Sequence, residues 1–135
     1  MKLKDNDKLS HTNEEGKSSM VDIMKKKITK RKAIASSKVF VNNTAYELLK
    51  ENTSNKGDVL NTSRLAGIMA SKRTSELIPL CHQVNLDNVS IEYSFLDDQR
   101  CLIIKSTAIA SNKTGVEMEA LMATSIASLT IYDML

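Results

Sequence analysis

The sequence predicts an α+β domain, an antiparallel sheet with helices packed on one face. Three observations carry this. Val89, Ile91, Tyr93 and Phe95 alternate with Asn88, Ser90, Glu92 and Ser94, the period of a half-buried strand. Leu96-Asp97-Asp98-Gln99 then turns the chain and CLIIKSTAIA returns as a second strand, which makes a hairpin. Two longer segments, 58–73 before the hairpin and 116–135 after it, carry apolar residues at helical spacing.

Residues 1–19 lack periodicity and are polar and charged, so a flexible leader or a loosely docked arm is expected ahead of one domain over 20–135. In MKKKITKRK, residues 24–32, six of nine positions are basic: Lys25, Lys26, Lys27, Lys30, Arg31 and Lys32. Such a block is either a solvated basic face or an anion site, because a phosphate relieves the mutual repulsion of clustered cations. AIASSKVFV, residues 33–41, suits a strand. Asn42, Asn43 and Thr44 offer an N-cap, and Thr44 with Glu47 fits a capping box for a helix over about 44–52. The polar run from Asn52 to Gly57 ends that helix.

Asp58 is placed to cap the next helix, which runs to about Arg73. Its Val59, Leu60, Leu65, Ile68 and Met69 are interleaved with Ala66, Gly67, Ala70 and Ser71. A glycine costs a helix interior about 1 kcal/mol against alanine, so Gly67 is expected to have a packing reason. Pro79, the only proline, punctuates ELIPLCH. After the hairpin, Ser111 to Gly115 is a polar turn. Met118, Leu121, Met122, Ser125, Leu129 and Tyr132 then fall near one stripe of a final helix. The order is strand, helix, helix, strand, strand, helix, with no internal repeat.

Composition narrows the function. A chain of 135 residues makes one domain and buries about two-thirds of its unfolded surface. No run approaches the roughly 20 apolar residues of a membrane helix, and the N-terminus has no apolar core of a secretory signal. Two cysteines, Cys81 and Cys101, are too few for a disulfide scaffold or an all-cysteine zinc site, which points to a reducing cytoplasm. A net charge of +3, 4% aromatic residues and no tryptophan argue against a nucleic-acid binder built on the basic block.

Four clusters could carry chemistry. Lys56-Gly57-Asp58 stands at a loop-to-helix junction, where a lysine and the helix N-terminus can share an anion, or where glycine and aspartate simply make a turn and a cap. Leu80-Cys81-His82 follows Pro79. Neighbours in an extended chain point to opposite faces, so Cys81 reads as packing and His82 as the chemical residue. A metal-dependent hydrolase using Cys81, His82 and the acids is a minor alternative. Glu117-Met118-Glu119 holds two carboxylates that diverge by roughly 200° in a regular helix, so joint action needs them at the turn before the helix becomes regular; the plainer reading is acids in a first helical turn, where the dipole stabilises them. Tyr132-Asp133 closes the chain. On one continuous helix Asp133 lies roughly 21 Å from Glu119. For both to serve one small substrate, the helix must break or the site must be shared between subunits.

Several blocks together resemble a known family. They are MVDI at 20–23, Lys26-x-x-Thr29-x-Arg31-x-Ala33-x-Ala35, KGDVL at 56–60, RLAGIMASKRTSELIPLCH at 64–82, TGVEMEAL at 114–121 and LTIYDM at 129–134. The chain is similar from about Ser10 to Leu135 to the cyclic pyranopterin monophosphate synthases, the molybdenum cofactor biosynthesis protein C family. The resemblance implies a ferredoxin-like α+β protein assembled as a hexamer of dimers, with active sites at the dimer interface. It implies a lyase that converts a cyclised dihydro-GTP to cyclic pyranopterin monophosphate and releases pyrophosphate, with no metal or organic cofactor. Residue by residue, Leu80, Cys81, His82, Met118 and Glu119 correspond to substrate-binding segments, and Asp133 to the active-site aspartate. Lys56, His82 and Glu117 match further functional positions, and Arg31 lies in the matching basic block. The residue types suit the chemistry. His, Lys, Asp and Glu can move protons at neutral pH, and Lys56, Arg31 and Lys26 can hold phosphates and leaving-group charge.

The chain departs from the family pattern in two places. Gln83-Val84 stands where the family usually has proline and leucine after the histidine. The chain ends at Leu135, before the lysine of the family's I-Y-D-M-x-K and before its K-S-G-G-K-S-G stretch. A truncated chain with impaired catalysis is therefore an expectation, and a nucleotide- or pterin-binding remnant or regulatory partner is the alternative reading.

Overall fold

The structure, a computed structural model, describes residues 10–135. Residues 1–9 of the expected leader lie outside the described residues. Three strands form one antiparallel sheet: β1 (Thr29–Phe40), β2 (Asn88–Leu96) and β3 (Cys101–Asn112), in the order β1-β3-β2. β3 is central, so Ser106 faces Ala35 on one side and Ile91 on the other. Four helices accompany them: α1 (Asn43–Glu51), α2 (Val59–Lys72), the one-turn α3 (Thr74–Leu77) and α4 (Glu117–Met134). The sequence β-α-β-β-α, with β3 between β1 and β2, is the ferredoxin-like arrangement up to its second crossover helix.

Local chemistry sets most boundaries. Asn42, the first of the three offered caps, caps α1: its side chain accepts from the Ala45 N–H, two residues before the capping box expected at Thr44. Asn52 ends that helix in the left-handed conformation at φ 54°, where its N–H reaches the Leu48 and Leu49 carbonyls. Asp58 caps α2 as expected, accepting from the Asn61 N–H at 3.0 Å. β1 begins at Thr29, four residues earlier than the sequence suggests, because the basic stretch Lys30-Arg31-Lys32 pairs with Ser111, Ala110 and Ile109 of β3. Leu96 to Gln99 turns as expected, through a 3₁₀ turn over Asp97–Gln99. Asp97 is held there by the Tyr46 hydroxyl at 2.7 Å and the Lys50 ammonium at 2.8 Å.

α2 and α4 pack on each other and on the same face of the sheet. The core between them holds Val59, Ile91, Leu102, Ile104, Ala123, Ala127 and Ile131. Fully burying a side chain such as Leu102, Ile104 or Ile131 contributes about 1.5–3 kcal/mol each. Small residues make the close packing possible. α2 turns Ser63, Gly67 and Ser71 inward, and α4 turns Ala120, Ala123 and Ala127 inward. A Cβ on Gly67 would meet Ile91 Cδ1 at 2.5 Å and the Ala123 carbonyl oxygen at 2.6 Å, so the expected packing reason is the α2–α4 crossing itself. Inward polar groups are satisfied locally. Ser63 Oγ bonds the Leu60 carbonyl and the Tyr93 hydroxyl, and Ser106 Oγ donates to the Ala120 carbonyl at 2.7 Å.

The apolar stripe expected on α4 faces the other way. Met118, Leu121, Leu129 and Tyr132 point outward, with Leu129 62% and Tyr132 80% exposed. On α2, Leu65 and Met69 are likewise exposed. Both helices therefore bury mostly small residues, with Val59, Ile131 and Met134, against this chain and leave Leu65, Met69, Leu121, Leu129 and Tyr132 uncovered.

Candidate active site

A cavity of about 570 Å³ opens where the segment after α3 meets the start of α4. Leu80, Cys81, His82, Glu117, Met118 and Glu119, six of the sequence-selected residues, line it together. The segment at 78–82 is not extended: the Cys81 N–H closes a turn on the Ile78 carbonyl at 3.1 Å. The alternation expected of an extended chain therefore does not apply, and Cys81 and His82 both border one cavity.

α4 starts at Glu117, and its N-cap position, Val116, makes no side-chain cap bond. The two carboxylates thus sit in the first turn, where the helix dipole favours negative charge. They differ in environment, as the helical divergence requires. Glu117 is exposed, whereas Glu119 is 2% exposed. Burial raises the Glu119 carboxyl above the ordinary carboxylate range, a backbone N–H at residue 119 offsets part of this, and the nearby Glu117 charge adds to the rise. Cys81 Sγ lies 4.0 Å from Glu119 Oε1. Burial first, then the Glu119 charge, pushes the Cys81 thiol up. A thiol so placed is a weak nucleophile at neutral pH, and its geometry makes it a hydrogen donor to Glu119. Among the described residues no group of three or more His, Cys, Asp and Glu side chains is placed to hold a metal ion.

A folded-state carboxyl raised in this way contributes stability that is fully present below its unfolded value and lost as pH rises through the folded value. Glu119→Gln should therefore melt higher than the parent near about pH 8, by roughly 2–4 °C on the scale of about 1 kcal/mol for a chain of this size. The gain should shrink toward zero near about pH 4, where the parent carboxyl is already neutral. Thermal unfolding at both pH values checks this, and an equal gain at both would contradict it.

Sequence reasoning missed part of the lining. Ile78, Pro79, Thr114 and Gly115 border the cavity, as do His11 and Ser18. Gly115 had a legible signal inside TGVEMEAL: the Glu117 carboxyl group lies across it, with Glu117 Cδ 2.6 Å from where a Cβ would stand, so any side chain at 115 would push that carboxylate aside. His11 and Ser18 had none, because they belong to the stretch read as a leader.

Arg31, Lys56 and Asp133 lie outside this cavity. Arg31 Nε and Nη2 donate to the Asn112 and Lys113 carbonyls at 3.2 and 3.3 Å, pinning the turn that leads to Thr114 and Gly115. Lys56 and Asp133 meet at the opposite end of α4. The Lys56 ammonium donates to the Asp133 main-chain carbonyl, and Ser54 Oγ donates to the Met134 carbonyl at 3.0 Å. These bonds satisfy carbonyls of the last helical turn, and the lysine charge complements the negative end of the dipole. Asp133 keeps its carboxylate exposed. α4 is one unbroken helix, so Glu117 and Asp133, sixteen residues apart, stand roughly 24 Å from each other along its axis.

Together these features define an α+β protein with an acid-lined cavity at one end of its longest helix and a lysine–aspartate pair at the other. Residues 20–135 match the MoaC family, and the chain belongs to that family. It is 48% identical over 130 residues to a cyclic pyranopterin monophosphate synthase of Staphylococcus haemolyticus (strain JCSC1435), covering 94% of this chain and 81% of that protein. It is 47% identical over 128 residues to the proteins of the same name from Staphylococcus aureus strains bovine RF122 / ET3-1 and Newman, covering 93% of this chain and 78% of each.

Proposed function

We propose that this chain is a cyclic pyranopterin monophosphate synthase of molybdenum cofactor biosynthesis. It takes a cyclised dihydro-GTP, rearranges the purine-derived ring and closes a cyclic phosphate as pyrophosphate leaves. The single observation that supports this best is the cavity itself. IPLCH and TGVEME are distant in sequence, yet they form facing walls with His82, an exposed Glu117 and a buried Glu119. Acceptor carboxylates beside a thiol suit the N–H-rich edge of a guanine-derived ring. Burial keeps Glu119 toward its neutral form, able to give a proton, while His82 supplies a second proton-transfer group. Leu80 and Met118 give the ring apolar contact.

The phosphates need cations, and the acid-lined cavity has few. Lys56 and Arg31 are assigned that role, with Lys56, His82 and Asp133 as the catalytic set. Because α4 is continuous, Lys56 and Asp133 reach the cavity only from a second copy of the chain. This reading therefore includes a homo-oligomer, a hexamer of dimers, whose sites lie between subunits. The outward Leu65, Met69, Leu129 and Tyr132 support such an assembly, since large exposed apolar residues on adjoining helices are costly without a partner. The reading also includes activity without a metal or organic cofactor and a cytoplasmic location. No helix of the described residues is long and apolar enough to cross a membrane.

Purified chain incubated with the cyclised dihydro-GTP should release pyrophosphate and cyclic pyranopterin monophosphate in equal amounts, unaffected by a chelator. Absence of both products at any protein concentration would overturn the reading.

A further inference from the structure

The third wall of the cavity comes from residues ahead of the family match, which begins at residue 20. Residues 10–19 form a closed hairpin with its own hydrogen-bond frame. Asn13 Oδ1 accepts from the Glu15 and Lys17 N–H groups at 3.1 and 2.8 Å, and the Gly16 N–H reaches the Asn13 carbonyl at 3.0 Å. Gly16 takes φ 76°, which closes the turn at little steric cost. Below the turn, Thr12 bridges Ser18 and the Ser19 N–H donates to the His11 carbonyl at 2.9 Å. The frame fixes the backbone of His11 against the cavity. Ser10 Oγ and His11 Nδ1 are hydrogen-bonded at 3.0 Å, which orients the ring and leaves Nε2 as the nitrogen available to an occupant.

We propose that His11 is a substrate-binding residue of this cavity and that the hairpin is its positioning device. The occupant's class is a guanine-derived heterocycle, held between the carboxylates of Glu117 and Glu119 on one wall and the His11 imidazole on the other. A ring nitrogen that donates or accepts according to tautomer complements the carboxylate acceptors of Glu117 and Glu119, and adds a second imidazole to the one that His82 brings to the lining. The inference rests on the proposed function, because it takes the same substrate in the same cavity.

The chain has two histidines, His11 and His82, which makes a direct test possible. The imidazole C2–H region of a proton NMR spectrum should show two signals, assigned by loss of one in His11→Ala. Addition of the cyclised dihydro-GTP should move both signals. Movement of the His82 signal alone would overturn the role of His11 and leave the function standing. Movement of neither would overturn both. In turnover, His11→Ala should raise KM about tenfold, the effect of losing one hydrogen bond of roughly 1.4 kcal/mol, with kcat within about twofold. His11→Gln, which carries a donor and acceptor near the place of Nε2, should recover most of the KM. A purely structural role would instead lower the melting temperature in both variants and give no difference between Gln and Ala.

Discussion

Lys56→Ala and His82→Ala chains, each depressed in turnover by about two to four orders of magnitude alone, should regain activity when co-expressed. The argument is geometric. Lys56 sits against the last turn of α4 and His82 against its first, with roughly 24 Å of continuous helix between them. If one site takes Lys56 from one subunit and His82 from another, a mixed pair holds one site with both substitutions and one with neither. Random pairing makes half the pairs mixed, so recovery should reach about a quarter of the parent activity for a two-fold interface. Differently tagged chains, purified through both tags, remove the unmixed pairs and should approach about half. Recovery no greater than the sum of the two variants would mean that sites are not shared. Circular dichroism of each variant alone should match the parent, because both side chains lie outside the core.

Gly67→Leu should abolish cooperative folding. The Cβ position at 67 stands 2.6 Å from the Ala123 carbonyl oxygen, a main-chain atom of α4 that cannot move without moving the helix. Gly67→Ala adds only that Cβ. It should still cost roughly 1–3 kcal/mol through overpacking, against which the better helix propensity of alanine returns only about 1 kcal/mol. Leucine adds a branched side chain to a crossing with no room for it, and a domain of ordinary stability holds only about 5–15 kcal/mol in reserve. Denaturant unfolding should show a lowered midpoint for alanine and no sigmoidal transition for leucine. A leucine variant with the parent midpoint would show that α2 and α4 slide apart freely and that the close crossing contributes nothing. Because α4 carries Glu117 and Glu119 into the cavity at its N-terminal end, less than two turns before Ala123, the alanine variant should also lose activity.

The sequence by itself determined the element order and the chemistry on offer. Alternation over Val89–Phe95 marks β2 because a strand buries every second residue, and Asp58 marks the start of α2 because an N-cap is a local hydrogen bond. Such signals need no knowledge of the rest of the chain. The motifs at IPLCH and TGVEME were equally legible as residue types. What the sequence left open was direction. The stripe of Met118, Leu121, Leu129 and Tyr132 was legible, but not that it points outward while Ala120, Ala123 and Ala127 are buried. Hydrophobicity says that a face wants covering but not by what, and α4 crosses α2 closely enough that Ala123 and Ala127 fit there, with Ile131 and Met134 buried further along. The adoption of Lys30–Lys32 by β1 and the seating of His11 at the same cavity as His82 likewise depend on partners far away in sequence. Tertiary structure alone decided that Glu119 is buried while Glu117 is not, and therefore which carboxyl is pushed toward its neutral form. Protonation follows solvation, and solvation is a property of the packed whole.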